Sequence, residues 1–272
     1  MPRLAALQTA LTPGNPQANL DHALDLIREA ATQGAELACL PECLNTGLAA
    51  DLQALAEPIP GPFTEALSQA ARACNLWVVS GMAERDGDQL HNAAVVIAPD
   101  GEVKAAYRKC YLYLGEAEAF TPGTQPCVMD LGFATAAVTI CYDYIFPEYI
   151  RKLRLAGARL LIHPTAWVDT SDCRRWHYPA TEAYRAQCRV RALENGLFFL
   201  SANHTGPYDE SGHLQCIGHS SIIAPWGEVL AEVTDGPGVA VADVDFGKAE
   251  EWAATAAPYV RDFQRVGCPE LD

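Results

Sequence analysis

The chain has 272 residues, half of them hydrophobic, and its 34 acidic against 19 basic side chains leave a formal charge of -15. That length and apolar content exclude a disordered chain, and the acidic balance, offset by no basic run, excludes nucleic acid and an anionic membrane surface as partners. Charges or prolines interrupt every apolar stretch before the roughly 20 residues that a membrane helix requires. The ten cysteines sit partly inside apolar runs, as Cys39 does, with no signal peptide ahead of Leu4, which reads as a cytoplasmic protein and not a disulfide scaffold. Cys39 and Cys43 have no matching Cys or His pair to complete a zinc site, so no metal and no cofactor are expected.

Read in chain order, residues 4–7 form an apolar run suited to a buried strand. An amphipathic helix over 16–33 follows, with Asn15 as its cap, Pro16 in its first turn, Leu20, Leu24 and Ile27 on one face, and Gly34 to close it. A second apolar run at 37–40 completes a β-α-β unit. Residues 62–74 read as a helix, 77–80 as a strand, and 93–97 as a strand that turns back at Pro99-Asp100-Gly101. The pattern then repeats with a strand over 134–140, a helix over 147–156 closed by Gly157, and a strand over 160–162. A long helix over 184–194, a strand over 198–201 and a hairpin of 220–224 with 229–233 across Pro225-Trp226-Gly227 extend the sheets. No linker or repeat divides the chain, so residues 1–272 are expected to be one α/β domain. The last stretch, 249–272, carries Trp252, Tyr259, Val260 and Phe263 without a strong period and is expected to pack on a partner subunit.

Cys141 ends the strand over 134–140 and precedes a helix, so a sharp turn there would expose its sulfur and aim backbone N–H groups at an oxyanion. Leu40-Pro41-Glu42 sets a carboxylate just beyond one strand end, and Tyr107-Arg108-Lys109 sets an ammonium after the hairpin. Loops at strand ends are where α/β folds carry their chemistry. A thiol is only a few per cent ionised at neutral pH, so a nucleophilic one needs a base or a cation beside it, while Glu42 or Lys109 taken alone reads as a surface charge or half of a salt bridge.

These segments, with Ile140-Cys141-Tyr142-Asp143, Phe146-Pro147-Glu148, Phe120-Thr121-Pro122-Gly123, His163-Pro164-Thr165 and Gly218-His219-Ser220, resemble the nitrilase, or carbon–nitrogen hydrolase, superfamily over almost the whole chain. The resemblance implies an α-β-β-α sandwich and a homodimer or higher homo-oligomer joined through the helices over 147–156 and 184–194. It implies Glu42 as general base, Lys109 as stabiliser of the tetrahedral intermediate, and Cys141 as the nucleophile, with no cofactor. Glu116 falls at the position of a second glutamate that would orient Lys109 or the substrate; Glu118, two residues on, is its competitor. The expected reaction is hydrolysis of a small amide or N-carbamoyl compound through a thioester, with a nitrile substrate or a catalytically silent binding protein as alternatives. Where many members carry His two residues after the lysine, this chain has Tyr111, a departure that bears on substrate class.

Tyr142, Tyr144, His163 and Trp167 follow strands whose ends should form the pocket, and together with Tyr113 they are expected to line it for a small molecule. Arg174 and Arg175 are candidates to bind a substrate carboxylate. A Cys/His hydrolase is the competing arrangement, with His163, His177, His204 and His219 available, yet no local pattern selects any of them.

Overall fold

The structure is a computed structural model that describes residues 1–268. Its first half runs β1 (Arg3–Ala10), α1 (Pro16–Thr32), β2 (Leu37–Cys39), α2 (Leu52–Leu55), α3 (Pro62–Cys74), β3 (Trp77–Asp86), β4 (Gln89–Ile97), β5 (Val103–Arg108), α4 (Glu116–Ala119), β6 (Cys127–Asp130) and β7 (Thr135–Val138). A 3-10 turn over Cys141–Ile145 leads to α5 (Pro147–Leu155), β8 (Leu160–Pro164), β9 (Val168–Asp169), α6 (Ser171–Arg175) and α7 (Ala180–Asn195). The chain continues through β10 (Phe198–Ala202), β11 (His204–Pro207), β12 (Gln215–Ile217), β13 (Ser220–Ile223), β14 (Val229–Val233), β15 (Gly238–Asp243), α8 (Phe246–Thr255) and α9 (Tyr259–Val266).

Two sheets result. One runs β5-β4-β3-β2-β1-β11-β12-β9, with β15 also pairing with β1; the other runs β14-β13-β10-β8-β7-β6. Their facing sides bury one apolar layer, in which Leu4, Leu37, Val79 and Val96 of the first sheet meet Val138, Ile162, Leu200 and Ile222 of the second. The outer face of the first sheet packs on α1 and α3 through Leu26, Ile27, Phe63 and Leu67, and that of the second packs on α5 and α7 through Ile150, Leu153, Tyr184 and Cys188. This is the expected α-β-β-α layering, and it places the strand ends carrying the candidate residues at one rim.

The helix signals are realised locally. Asn15 accepts the Ala18 N–H at 3.2 Å, and Gly34 takes the left-handed φ of +78° just past the end of α1. The buried stripe is rotated from the expected one: Ala23, Leu26, Ile27 and Ala30 are enclosed, whereas Leu20 and Leu24 lie half-buried at its margin. Helix α7 begins at Ala180, one turn before the expected start. Five strands escape the sequence pattern, namely β6, β9, β11, β12 and β15. Four of them have four residues or fewer, too short for alternation or an apolar block to mark them, whereas β15 carries the apolar run 239–242 between Gly238 and Asp243, a signal that was available. Strand β15 matters most, because it pairs antiparallel with β1 from Arg3↔Asp243 to Gln8↔Gly238 and ties the end of the fold to its beginning.

In the terminal stretch, the Trp252 ring lies 6.3 Å from Trp226 and 6.1 Å from Tyr259, so these aromatics already have partners in their own chain. The four residues 269–272 of that stretch lie outside the described residues. Among the described residues no helix is long and apolar enough to cross a membrane.

Candidate active site

Glu42 sits on the loop after β2. The loop is held from below by β3, where the Leu40 N–H donates to the Val79 carbonyl at 2.8 Å and Gly81 lies directly against Glu42. A Cβ on Gly81 would stand 2.4 Å from Glu42 Cα and 2.5 Å from the Pro41 carbonyl oxygen, so only glycine permits this approach. Glu42 is buried, and its carboxylate is satisfied from three directions. Oε1 accepts Lys109 Nζ at 2.8 Å and Asn92 Nδ2 at 2.6 Å, while Oε2 accepts the Ala166 N–H at 2.8 Å. Because Ala166 follows β8, that last bond joins the second sheet to the first.

Lys109 follows β5 directly. Its N–H donates to the Asn92 carbonyl and its own carbonyl accepts the Gly123 N–H, each at 2.8 Å. A Cβ on Gly123 would lie 2.1 Å from the Arg108 oxygen, which explains the glycine that ends the segment 120–123. The ammonium is buried and donates to both oxygens of Glu116, at 2.9 and 2.7 Å, as well as to Glu42. Glu116 is further held by the Tyr113 N–H at 2.6 Å, whereas Glu118 is exposed. The second glutamate brought to Lys109 is therefore Glu116.

Cys141 opens the 3-10 turn with φ +43°, a left-handed conformation that costs a non-glycine residue about 1–3 kcal/mol and persists only where the surroundings enforce it. The strand before it ends at Val138, two residues earlier than expected, and the turn takes up the difference. Its side chain lines a cavity of about 100 Å³ with Tyr113, Tyr142, Trp167, Val168, Thr170, Cys173 and Tyr178. Tyr113, Tyr142 and Trp167 thus line the cavity beside Cys141. His163 and Tyr144 do not: both are wholly enclosed behind the turn, with the His163 ring 4.8 Å from Tyr144 and 5.2 Å from Phe199. They point into the layer beneath the rim because β8 still runs through His163 and its side chain falls on the core face. Arg174 and Arg175 also stand apart, on the exposed α6, where Arg174 is 3.5 Å from Asp169 and Arg175 lies over Trp176. Tyr111, in place of the histidine, stacks on Phe146 at 3.9 Å.

The electrostatics follow from burial of three charged groups and a thiol. Burial raises the Cys141 thiol and the Glu42 charge raises it further, against the pull of Lys109, so it rests protonated. Burial alone would lower the Lys109 ammonium, but the Glu42 and Glu116 carboxylates carry it well above its ordinary value. Glu116 is raised by burial and by Glu42, against Lys109. The cluster is therefore a fixed cation between two carboxylates beside a neutral nucleophile, an arrangement that can remove the thiol proton and receive an oxyanion.

The profile of the family described as Carbon-nitrogen hydrolase matches residues 3–254. This chain belongs to the carbon–nitrogen hydrolase family. The hydrolase is 33% identical over 254 residues to an omega-amidase, NIT2, of Xenopus tropicalis, covering 89% of this chain and 88% of that one. It is also 38% identical over 237 residues to a nitrilase of Pyrococcus abyssi, covering 85% and 84%. Among solved structures it is similar to an amidase of Nesterenkonia sp. AN1, with a TM-score of 0.80, 30% identity and 96% of each chain covered. A glutamate-to-glutamine variant of that amidase, 29% identical with a TM-score of 0.78, carries an acetamide moiety added covalently at its active-site cysteine. The hydrolase is accordingly an amidase-type enzyme that breaks an amide C–N bond through a cysteine.

A Cys/His pair has no support in the site of this hydrolase. Burial and the Lys109 charge push His163 down to about 3, and its Nδ1 lies 3.0 Å from Thr139 Oγ1. His204 is pushed down to about 4 by burial, and both its ring nitrogens are engaged, by Thr9 Oγ1 at 2.6 Å and by the Glu42 carbonyl at 2.7 Å. His219 pairs with Glu232 at 3.0 Å, and His177 is exposed.

Asn92 is the site residue that the sequence reading missed. It is buried on β4, and its amide donates to Glu42 at 2.6 Å and to Glu116 at 3.1 Å, so it bridges the two carboxylates. The hairpin register pairs Ala93 with Arg108, which sets Asn92 opposite Lys109; a polar residue opening the apolar run 93–97 was the available signal. The register shift at Val96/Ile97 hid it, because counting back from the turn misses by one. Asn92→Asp would set three carboxylates around one ammonium, and kcat is expected to fall by about 100-fold as one of the three takes up a proton. Steady-state ammonia release measures it, and a variant within threefold of the parent would refute the bridge.

Proposed function

We propose that the hydrolase cleaves small, uncharged carboxamides by attack of Cys141 on the amide carbon, through a thioester that water then hydrolyses. The observation that carries this reading is the buried Glu42–Lys109–Glu116 cluster beside a thiol that its surroundings keep protonated. Glu42 takes the proton from Cys141 Sγ as the sulfur attacks. Lys109 and the Tyr142 backbone N–H face the oxyanion, and Glu116 positions Lys109. Glu42 returns the proton to the leaving nitrogen, ammonia or an amine departs, and Glu42 then deprotonates the water that attacks the thioester.

The cavity supports the substrate class. At about 100 Å³ it is far smaller than a drug-sized site, and its lining is mainly aromatic, with the Thr170 hydroxyl and the Cys173 thiol but without Lys or Arg. A carboxylate on the acyl chain would find hydroxyls there but no cation to balance its charge. An alanine variant of the Nesterenkonia amidase, 29% identical, is known in complex with butyramide, a ligand of the favoured kind. Dicarboxylate monoamides are the competing substrates. Ammonia release from propionamide and butyramide is expected to exceed that from dicarboxylate monoamides, N-carbamoyl amino acids and nitriles by at least about tenfold in kcat/KM. A preference for the charged amides would overturn this class and reopen Arg174 and Arg175.

We further propose that the enzyme is a cytoplasmic homodimer or higher homo-oligomer, paired through α5 and α7, with residues 249–268 against the partner. In support, all ten cysteines are free thiols, and Leu155, Val190 and Leu193 expose apolar surface on those two helices. Sedimentation as a monomer at micromolar concentration would refute the pairing.

A further inference from the structure

Asp143 stands two residues beyond Cys141, and its side chain is wholly enclosed. Oδ2 accepts the Ile140 N–H at 2.8 Å and the Tyr107 hydroxyl at 2.7 Å, and Oδ1 accepts the Tyr111 N–H at 2.9 Å. These donors come from both flanks of the site. Ile140 immediately precedes Cys141, while Tyr107 and Tyr111 lie two residues either side of Lys109. The Asp143 N–H also donates to the Ile140 carbonyl at 3.0 Å, which closes a ring at the start of the turn.

Each flank needs such an anchor. The left-handed φ of Cys141 requires surroundings that hold it, and the Ile140 bonds grip the peptide just before it. Lys109 is held on its other side by Asn92 and Gly123, and the Tyr111 bond fixes the chain beyond it. A serine or asparagine would serve to cap the turn alone, without placing a buried carboxylate there. Burial pushes Asp143 up to about 6, against the pull of the Ile140 N–H, the Tyr107 hydroxyl, the Tyr111 N–H and the Lys109 charge. The titratable groups around it are Tyr107 on β5, Lys109 and Cys110 in the loop that follows, and Tyr149 on α5, whose hydroxyl is 3.3 Å from that of Tyr107. A carboxylate retained at that cost has a task that a neutral cap does not perform: it joins two segments by accepting from both with two oxygens.

We propose that Asp143 is a positioning residue that sets the separation of the Cys141 thiol and the Lys109 ammonium by fastening the turn of one to the loop of the other. The proposal rests on the assignment of Cys141 and Lys109 made above. In Asp143→Asn one acceptor becomes an amide N–H facing the Ile140 N–H, so the link between turn and loop is broken at one end while the volume is kept.

With propionamide as substrate, Asp143→Asn is expected to lower kcat by about 100-fold with KM within about threefold, the size of effect that a misplacement near 1 Å produces. Alkylation of Cys141 by iodoacetamide, followed by peptide mass, should slow by at least about tenfold, while the exposed Cys268 reacts at the parental rate. Tyr107→Phe removes one donor of three and should lower kcat by about fivefold. The proposal is overturned by a folded Asp143→Asn whose kcat and Cys141 alkylation match the parent. Should that variant fail to fold, Tyr107→Phe decides, and parental kcat and alkylation in it overturn the proposal equally. The alkylation readout needs no substrate, and full turnover by Cys141→Ala would instead show that the nucleophile had been misassigned.

Discussion

Replacing Cys141 with alanine is expected to lower amide turnover by about 10⁴-fold or more, since the covalent route then has no nucleophile. The remaining polar cluster cannot substitute. Glu42 and Glu116 are engaged by Lys109 and Asn92, and neither serves as a nucleophile in the proposed route. The residue is buried and of alanine's approximate shape at Cβ, so the variant should fold, and its lost activity will report on chemistry. Rapid-quench intact mass of the parent enzyme with butyramide should show a transient acyl adduct that maps to Cys141, and the variant should show none. Ammonia release by the variant at the parental rate would defeat the mechanism, and with it the choice of this sulfur among ten.

Lys109→Met is expected to damage activity and stability together. Loss of a single oxyanion-stabilising group costs about 10²–10³-fold in kcat, and Lys109 also holds both glutamates in register. Removing it leaves two buried carboxylates without their cation, the situation in which breaking a buried pair costs about 3–5 kcal/mol. A melting temperature lower by roughly 10 °C would follow for a chain of this size. The pH dependence has a definite sign. Glu116 is already raised by burial and by Glu42, and Lys109 is the charge that opposes this, so its loss carries Glu116 further up. A carboxyl raised in the folded state binds more protons there than in the unfolded chain, so stability falls as pH rises from the unfolded value, about 4.3, through the folded one. The variant should therefore be relatively more stable near pH 5 than near pH 8, read by melting curves across that interval. A variant whose deficit from the parent is the same at both pH values would show that the carboxylates do not share one buried charge balance.

Much of this was legible in the chain because it is local. The helix α1 announced itself through Asn15, Pro16 and Gly34, whose capping and turn geometry depend only on near neighbours. Glu42 and Cys141 stood beyond strand ends that the apolar runs marked, Lys109 beyond β5, which no apolar run marked, and the order of the three carried the family resemblance. The short strands were not legible, since β11 and β12 have three or four residues each and draw their stability from pairing partners far along the chain.

The site shows the same division in finer detail. Tyr113, Tyr142 and Trp167 reach the cavity, but His163, equally close to a strand end, is turned inward because β8 continues through it. Glu116 and Glu118 differ by two residues of sequence, and only the fold of the loop before α4 decides that the first meets the ammonium. Asn92 entered through a hairpin register shifted by one residue, and Asp143 through hydrogen bonds that span both flanks of the site. The sequence by itself singled out Cys141, Glu42 and Lys109 as the proposed nucleophile, base and cation, through the ordered motifs that carry the family resemblance, and it showed the alternation of strands and helices, which near-neighbour spacing specifies. The tertiary structure alone decided which groups surround them, because burial, register and the enclosing charge balance are properties of segments brought together from across the chain.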